Sequence, residues 1–545
     1  MALRTTVVTT APWASSQPAR HARWPGVAIA LLFALWQLPA LPGRGTTWDE
    51  QETRDAGAWN LRILGQLGTG GSGSEALRAL REPPGPDTIG HELPGYCFVG
   101  DTLRAALAAA LSRRGWSAAS SMHLFHGALS ALSLYLAYRL GFVLSRSPLA
   151  SAASAFGLAL FPKFLGHSQN NPKDLPALFC FVLAMVCAAR VIESGGARRA
   201  VRAGLALGLA VTHGPVCLAI PVVLGGAAAV LWRGTIRRRV KEVALLLPTA
   251  ALAAFAFWPW LWPDPVGRLS EAASRLRSPG LENRLLYLGE VYSWSAVPWH
   301  YSLVWLLAST PLVHLVWVGV GAVAALRSRD RRVRALVGLG AVWSATLLVA
   351  DLLAPLHYDG LRHLLALLPG LALIAGGGVL AARGWLGTRK PVLALLVAAS
   401  LAQLLWIAVT MRPYEDAYLN QAANAWIDGP AEDVLEVEYW GSSYREGAEW
   451  LNRHAEPDAQ ILLPWTLLAN EYLERKGVPP EAVDFYSAAV PQYLMFITRK
   501  AFYDPLILRV EAGCVPVYEV RRQRATLLRI YRDPLRCGRA GAGTG

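Results

Sequence analysis

Apolar runs alternate with short polar gaps along most of the chain, and the runs are long. Stretches near Gly26–Leu41, Ser121–Phe142, Leu149–Leu165, Leu175–Ile192, Val243–Trp262, Leu303–Leu326, Val333–Leu352, His363–Leu380 and Val392–Thr410 approach or reach the roughly 20 residues that cross a bilayer as a helix. Gly26–Leu41 follows Arg20 and Arg23 without a clear small-x-small cleavage site, so it reads as a retained first transmembrane helix. Between Arg202 and Arg233 the apolar stretch runs for about 30 residues, too long for one span and short for two. Past Met411 the pattern changes. A helical period over Tyr444–His454 is followed by strand-like Gln460–Pro464, Tyr493–Thr498, Val515–Val520 and Thr526–Tyr531, the last two forming a hairpin.

Charge settles the threading. Arg198, Arg199 and Arg202 precede the long stretch, and Arg233, Arg237, Arg238, Arg239 and Lys241 follow it. Basic residues prefer the cytoplasm, so the segment enters and returns, breaking at Thr212-His213-Gly214-Pro215. Arg139 and Arg146, Arg327–Arg334 and Arg383–Lys390 then also fall inside. The loops 42–119, 166–174, 263–300 and 354–362, and everything after Met411, fall outside. This predicts about 11 membrane helices including a short re-entrant pair. Residues 1–410 form the membrane domain, and residues 411–545 a small C-terminal α/β periplasmic domain. Loop 42–119 carries two amphipathic helices, Ala56–Leu67 and Asp101–Leu111, separated by the flexible Gly68–Gly73 and the turn-rich Glu82–Asp87.

Composition agrees: 54% of the 545 residues are hydrophobic and only 17% are charged, against about a quarter in soluble domains. The net charge of +14 does not indicate nucleic-acid binding, because it sits in short gaps between spans. Six cysteines lack CxxC spacing, which argues against a structural zinc site, while Cys514 and Cys537 can pair if the tail is periplasmic.

Chemistry-bearing residues gather on the outer loops. Asp49 and Glu50, just after the first span, suit a general base and a substrate or metal ligand; the bland reading is a solvated turn or a helix cap. In Asn170-Asn171-Pro172-Lys173-Asp174, Asn171 and Pro172 suit a helix start. Lys173, with Lys163 and His167, brings cations to a helix N-terminus that favours phosphate, and the alternative is a Lys173–Asp174 pair. His213 at the re-entrant tip is an ionisable residue at membrane depth, read as an anion site or as a neutral imidazole bonded to a carbonyl. Pro298-Trp299-His300-Tyr301 and His357-Tyr358-Asp359-Gly360-Leu361-Arg362-His363 each lead into a span. Arg362 at a helix start opposes the helix dipole unless it binds an anion. Carboxylates in one place and Lys, His and Arg in others form the division needed to move a group off a phosphate.

With these residues the sequence resembles the GT-C clan of membrane glycosyltransferases, in particular the bacterial glycosyltransferase family 39 relatives of protein O-mannosyltransferases and lipid A aminoarabinose transferases. The resemblance is carried by Trp48-Asp49-Glu50, by Phe161-Pro162-Lys163-Phe164 running into His167 and Asn170–Asp174, and by Trp258-Pro259-Trp260-Leu261-Trp262 with Asp264-Pro265. It continues through Pro298–Tyr301, Tyr358-Asp359-Gly360 with Arg362-His363, Arg412-Pro413-Tyr414-Glu415, and Glu438-Tyr439-Trp440-Gly441. It implies a polyprenyl-phosphate-sugar donor, an inverting transfer to a lipid, protein or glycan acceptor on the periplasmic face, and a multi-pass protein of the bacterial inner membrane with its N-terminus cytoplasmic. Asp49 takes the role of base, and Glu50 assists the acceptor or a divalent metal ion, for which no ligand set is legible. The clan often places a Lys at the hairpin tip; here the tip carries His213, so the phosphate role falls on His213 or shifts to Lys163, Lys173 and Arg362. Asp174, His167, His300, Tyr301, Tyr358, Asp359 and His363 complete the expected substrate site. A lipid-phosphate carrier or flippase, and a membrane scaffold without catalysis, are the readings from other classes.

Overall fold

The computed structural model describes residues 20–68, 80, 97–231, 235–277, 283–465, 468–480 and 491–536. Most of Gly68–Gly73, all of Glu82–Asp87, and Cys537 lie outside them, while Cys514 is disulfide-bonded.

Helix α1 (Trp24–Gln37) leads to the loop helices α2 (Trp48–Gly68) and α3 (Phe98–Ser112), which pack on each other. There follow α4 (Ala118–Ser145), α5 (Pro148–Ala159), α6 (Pro162–Asn170) and α7 (Asp174–Ser194). Next come α8 (Ala197–Val211), α9 (Ile220–Leu231) and α10 (Ile236–Phe257), with a two-stranded hairpin β1 (Arg284–Tyr287) and β2 (Glu290–Ser293) after them. The membrane portion closes with α11 (Tyr301–Ser309), α12 (Leu312–Arg327), α13 (Arg331–Leu352), α14 (Leu368–Leu386) and α15 (Lys390–Met411). Six described helices are long and apolar enough to cross a membrane, or eight if each bent pair counts as one span. The molecule is a multi-pass membrane protein, mainly helical, with a small α/β portion at its C-terminal end.

Two expected spans are not straight. Leu149–Leu165 is the pair α5–α6, bent by 65°, and Leu303–Leu326 is the pair α11–α12, bent by 107°. Proline is the cause in both. Phe161 (φ −74, ψ 121) precedes Pro162 and Thr310 (φ −87, ψ 123) precedes Pro311, and a residue before proline is driven from helical to extended backbone. The break of the long apolar stretch falls where expected, at Thr212–Gly214 between α8 and the short Pro215–Ala219 turn that leads into α9. The first loop helix begins at Trp48, eight residues before the expected Ala56, and this moves Asp49 and Glu50 from a loop into a helical first turn.

Small residues set the packing. Most of α14 is buried, and a Cβ on Gly376 would lie 2.7 Å from the Ala150 carbonyl of α5. On Gly378 it would lie 2.4 Å from the Trp317 carbonyl of α12, and on Gly370 3.1 Å from the Gly340 carbonyl of α13. Lipid offers apolar surface as good as leucine, so helices gain from association only when their backbones approach closely.

Beyond α15, helix α16 (Tyr444–His454) packs on a five-stranded sheet in the order β4-β3-β5-β7-β6. Strands β3 (Gln460–Leu462), β4 (Lys476–Val478) and β5 (Tyr493–Ile497) are parallel neighbours, α17 (Pro505–Gly513) follows, and β6 (Tyr518–Arg522) and β7 (Ala525–Arg532) form the expected hairpin. The sequence reading omitted β1, β2 and β4. They are only three or four residues long, too short to display an alternating pattern.

Replacing Gly378 with Ala forces its Cβ against the Trp317 carbonyl and should cost about 1–3 kcal/mol. At Gly319, also helical but with nothing within 4 Å of a Cβ, Ala should be neutral or stabilising by up to about 1 kcal/mol. Melting of the two variants in one detergent checks this; a Gly378→Ala protein that melts with wild type refutes the close-packing account.

Candidate functional site

The site is built from the start of α2. Glu50 reaches back to the residue before the helix: its carboxylate accepts from the Thr47 backbone N–H at 3.3 Å and lies 3.3 Å from the Thr47 hydroxyl, the glutamate half of a Thr-x-x-Glu capping box. Glu50 is fully buried, with Nε2 of His123 at 3.2 Å. Successive helical residues turn by about 100°, so Asp49 points elsewhere. The two carboxylates expected to act together therefore face different surroundings. Glu50 holds the helix start, and Asp49 faces a cavity of about 520 Å³. The Thr47 hydroxyl also donates to the Asn170 carbonyl (3.0 Å), which ties this helix start to the α6–α7 junction.

A chain of alternating charges crosses the cavity wall. Lys173 lies 3.3 Å from Asp49 and 3.1 Å from Glu52. Arg362 reaches Asp49 at 3.1 Å, Asp174 at 3.3 Å and Asp359 at 2.8 Å. Arg499, from the turn after β5, contacts Asp359 at 2.8 Å and Glu436 at 3.0 Å. The Arg362 guanidinium also lies 4.8 Å from the Trp440 ring centroid and 5.5 Å from that of Tyr358. Asp359 (φ +54) and Gly360 (φ +64) form a left-handed turn that directs the Asp359 carboxylate between the two arginines, and the Gly360 N–H donates to the Tyr301 hydroxyl at 2.9 Å.

Burial raises the Asp49 carboxyl, but Lys173 and Arg362 outweigh it and hold Asp49 below its ordinary value, so it is ionised at neutral pH. For Glu436 the balance is reversed. Burial outweighs Arg499 and pushes its carboxyl up to about 7.

The cavity wall holds Asp49, Lys173, Tyr358, Asp359 and Arg362 from the expected set, and Asp174 joins it through Arg362. Other expected residues lie behind it. The Lys163 ammonium donates to the Asp416 carbonyl and sits 4.9 Å from the Trp305 ring and 5.6 Å from Tyr439. His167 contacts Asn171 (3.1 Å) and the Tyr439 hydroxyl (3.3 Å), and His363 meets the Tyr358 ring edge-on at 4.4 Å. His300 pairs with the Tyr287 hydroxyl at 2.5 Å. His213 is not brought to this wall; its Nδ1 donates to the Leu209 carbonyl at 2.8 Å, and its ring lies beside Gly100. Reading the sequence missed Glu52, Glu436 and Arg499, and the aromatic wall of Trp294, Trp465 and Phe502. A helix starting at Trp48 puts Glu52 near Asp49, so recognising the Thr47–Glu50 box exposes Glu52. Arg499 carried a weaker signal, as a charge directly after an apolar strand.

Asp49 and Glu50 do not fit a shared divalent ion, because one carboxylate is held by two cations and the other by a cap and a histidine. No group of three or more metal-ligating side chains lies among the described residues.

No family model matches the chain, and no curated protein matches it in sequence. Among solved structures, ArnT from Cupriavidus metallidurans bound to undecaprenyl phosphate superposes with a TM-score of 0.50 at 14% identity, over 94% of this chain and 98% of that one. The fold is GT-C. Weaker likenesses of 0.41 and 0.44 link the chain to the Archaeoglobus fulgidus oligosaccharyltransferase (13% identity, 88% of this chain and 70% of that one) and to the mycobacterial arabinofuranosyltransferase AftD (15%, 95% and 40%). Within this fold the candidate site joins the first loop, the α6–α7 junction and the turn before α14 to the turn after β5 that carries Arg499.

Glu436 gives a test of this electrostatic account. Its folded pKa of about 7 lies above the ordinary 4.5, so the folded protein holds a proton that the unfolded chain releases. The resulting stability is present at low pH and declines as pH rises between those values. Glu436→Gln should melt with a shallower pH dependence between about pH 5 and about pH 8 and gain most at the upper end. Melting by intrinsic fluorescence across that range checks it, and an unchanged slope refutes the assignment.

Proposed function

We propose that this chain is a glycosyltransferase that moves a sugar from a polyprenyl-phosphate donor to an acceptor hydroxyl, with inversion, on the periplasmic face of a bacterial inner membrane. The observation that carries the reading is Asp49, an ionised carboxylate clasped by Lys173 and Arg362 on the wall of a cavity. The GT-C fold shared with ArnT, a protein seen with undecaprenyl phosphate bound, supports it, as does the basic-residue asymmetry of the loops.

In this mechanism the donor phosphate lies against Lys173 and Arg362. As it takes up their charge, Asp49 loses part of the stabilisation that keeps it a weak base, and its affinity for a proton rises. Asp49 then accepts the proton of the acceptor hydroxyl as that oxygen attacks the anomeric carbon from the face opposite the phosphate. The bond from the anomeric carbon to the phosphate oxygen breaks, and the two cations hold the charge left on the departing phosphate. The Trp294–Tyr358 stack, with ring centroids 4.1 Å apart, offers an apolar face to the sugar or the acceptor. Arg499 acts through another group, fixing Asp359 and hence Arg362. Residues 1–410 supply the membrane half of the site, and residues 411–545 a periplasmic brace.

Removing a general base typically slows the chemical step by about 10²–10⁴-fold. Purified Asp49→Asn should lose transfer by at least about a hundredfold in kcat, with donor binding little changed. The measurement is release of polyprenyl phosphate from a polyprenyl-phosphate-sugar on adding acceptor. Full activity in Asp49→Asn removes the base assignment. Acceptor-independent movement of intact donor across a bilayer, with no release, favours a carrier. Arg362→Gln should instead weaken donor binding as well as kcat, because it contacts the phosphate before and after the bond breaks.

A further inference from the structure

The opposite end of the helical bundle holds a second arrangement of charge. Asp174 opens α7 at the candidate site and Glu193 lies nineteen residues further along the same helix, about 28 Å away at 1.5 Å per residue. Around Glu193 is a cavity of about 380 Å³ whose charged lining is Arg23, Arg139, Arg146, Arg190 and Arg199 against this one carboxylate. Arg146 pairs with Glu193. Arg139 and Arg199 donate to neutral oxygens, the Tyr135 hydroxyl at 2.7 Å and the Gly195 carbonyl at 2.6 Å. Five guanidinium groups surround one carboxylate there, with Arg23, Arg146 and Arg199 exposed and Arg139 and Arg190 half-buried, so the mouth of the cavity carries excess positive charge that an anion would offset.

A second cavity of about 380 Å³ adjoins the first and shares Val143, Arg146 and Glu193 with it. Its wall is otherwise mainly apolar, made of residues such as Leu144, Met185, Ile192 and Leu224 from α4, α7 and α9, with Arg331 and Arg332 of α13 also on it. A basic chamber opening beside an apolar one matches an amphiphile with an anionic head and a hydrocarbon tail. A free anion would leave the apolar chamber unexplained, and a neutral lipid would leave the arginines unrelieved.

We infer that this paired cavity is a binding site for an anionic phospholipid, with the phosphate among Arg139, Arg146 and Arg190 and one acyl chain between α4, α7, α9 and α13. The site is separate from the Asp49–Arg362 site and does not depend on the reaction proposed there. Its occupant braces α4, α7 and α13 against one another at the end of the bundle farthest from the catalytic loops.

The test uses the full-length protein, delipidated in neutral detergent and supplied with phosphatidylglycerol or phosphatidylcholine of the same acyl composition. Lipid retention is read by native mass spectrometry. Phosphatidylglycerol should be retained over phosphatidylcholine, and the R139Q/R146Q/R190Q protein should retain it about a hundredfold less, from the roughly fivefold that each arginine contributes near an anionic lipid. A matched variant, R327Q/R383Q/R389Q, removes the same charge from the same end of the bundle outside the cavity and should keep wild-type retention. Should the first variant fail to fold, Ala227→Trp fills the apolar chamber with every arginine in place and should lower retention on its own. Equal retention of the two lipids, or equal loss in the matched variant, overturns the site. Inorganic phosphate raising the melting temperature as much as phosphatidylglycerol overturns the lipid in favour of a soluble anion.

Discussion

The arrangement of the candidate site depends on burying the Arg362 guanidinium where a helix begins. Arg362 is only 4% exposed, and a buried charge is tolerated only when paired and hydrogen-bonded. Its partners arrive from three places in the chain: Asp49 at the start of α2, Asp174 at the start of α7 and Asp359 three residues upstream. Each carboxylate in turn restrains the element that carries it. The first loop, the α6–α7 junction and the turn before α14 are therefore held at fixed positions around one cation. Arg499 extends this control to the soluble sheet, because it shares Asp359 with Arg362.

Such a network is expensive as a source of stability and well suited to ordering a site. Replacing buried ion pairs with apolar residues is often neutral or stabilising, so the density of charge here argues for specificity of geometry. The aromatic rings of Trp440 and Tyr358 around Arg362, and of Trp305 and Tyr439 around Lys163, serve the same end, since a cation against a ring face is attracted without an added anion. The membrane portion supplies the rigid support. Glycine contacts along α14 bring three helices close around it, so the turn carrying Asp359 and Arg362 rises from a well-packed part of the bundle.

The two ends of the molecule balance charge differently. At the candidate site acids and bases alternate, five carboxylates around Lys173, Arg362 and Arg499, with Asp49 held between Lys173 and Arg362. At the far end arginines outnumber acids around the paired cavity, and the apolar chamber beside them opens between helices. The first pattern suits chemistry on a bound phosphate, and the second suits retention of an anionic lipid.

Much of this architecture is legible in the chain itself. Long apolar runs and the basic gaps between them mark the apolar helices and the break at Thr212–Gly214, because bilayer thickness and helix-breaking residues act locally and leave a mark on sequence. The two bent pairs were not read from the sequence, although Pro162 and Pro311 mark each break, because the apolar runs continue through the prolines without a polar gap. The residues that carried the resemblance, Asp49 and Lys173 among them, lie together on one cavity wall. The side to which each carboxylate turns was decided only by the tertiary structure. Glu50 went to a cap and to His123, Asp49 to Lys173 and Arg362, and the outcome rests on where α2 starts and what packs beside it. Glu436 and Arg499 join the site across more than 70 intervening residues from Asp359, and no periodicity encodes a contact of that range. Sequence determined which segments meet the membrane because that constraint is one-dimensional, whereas the division of roles among charges is set by neighbours that only folding brings together.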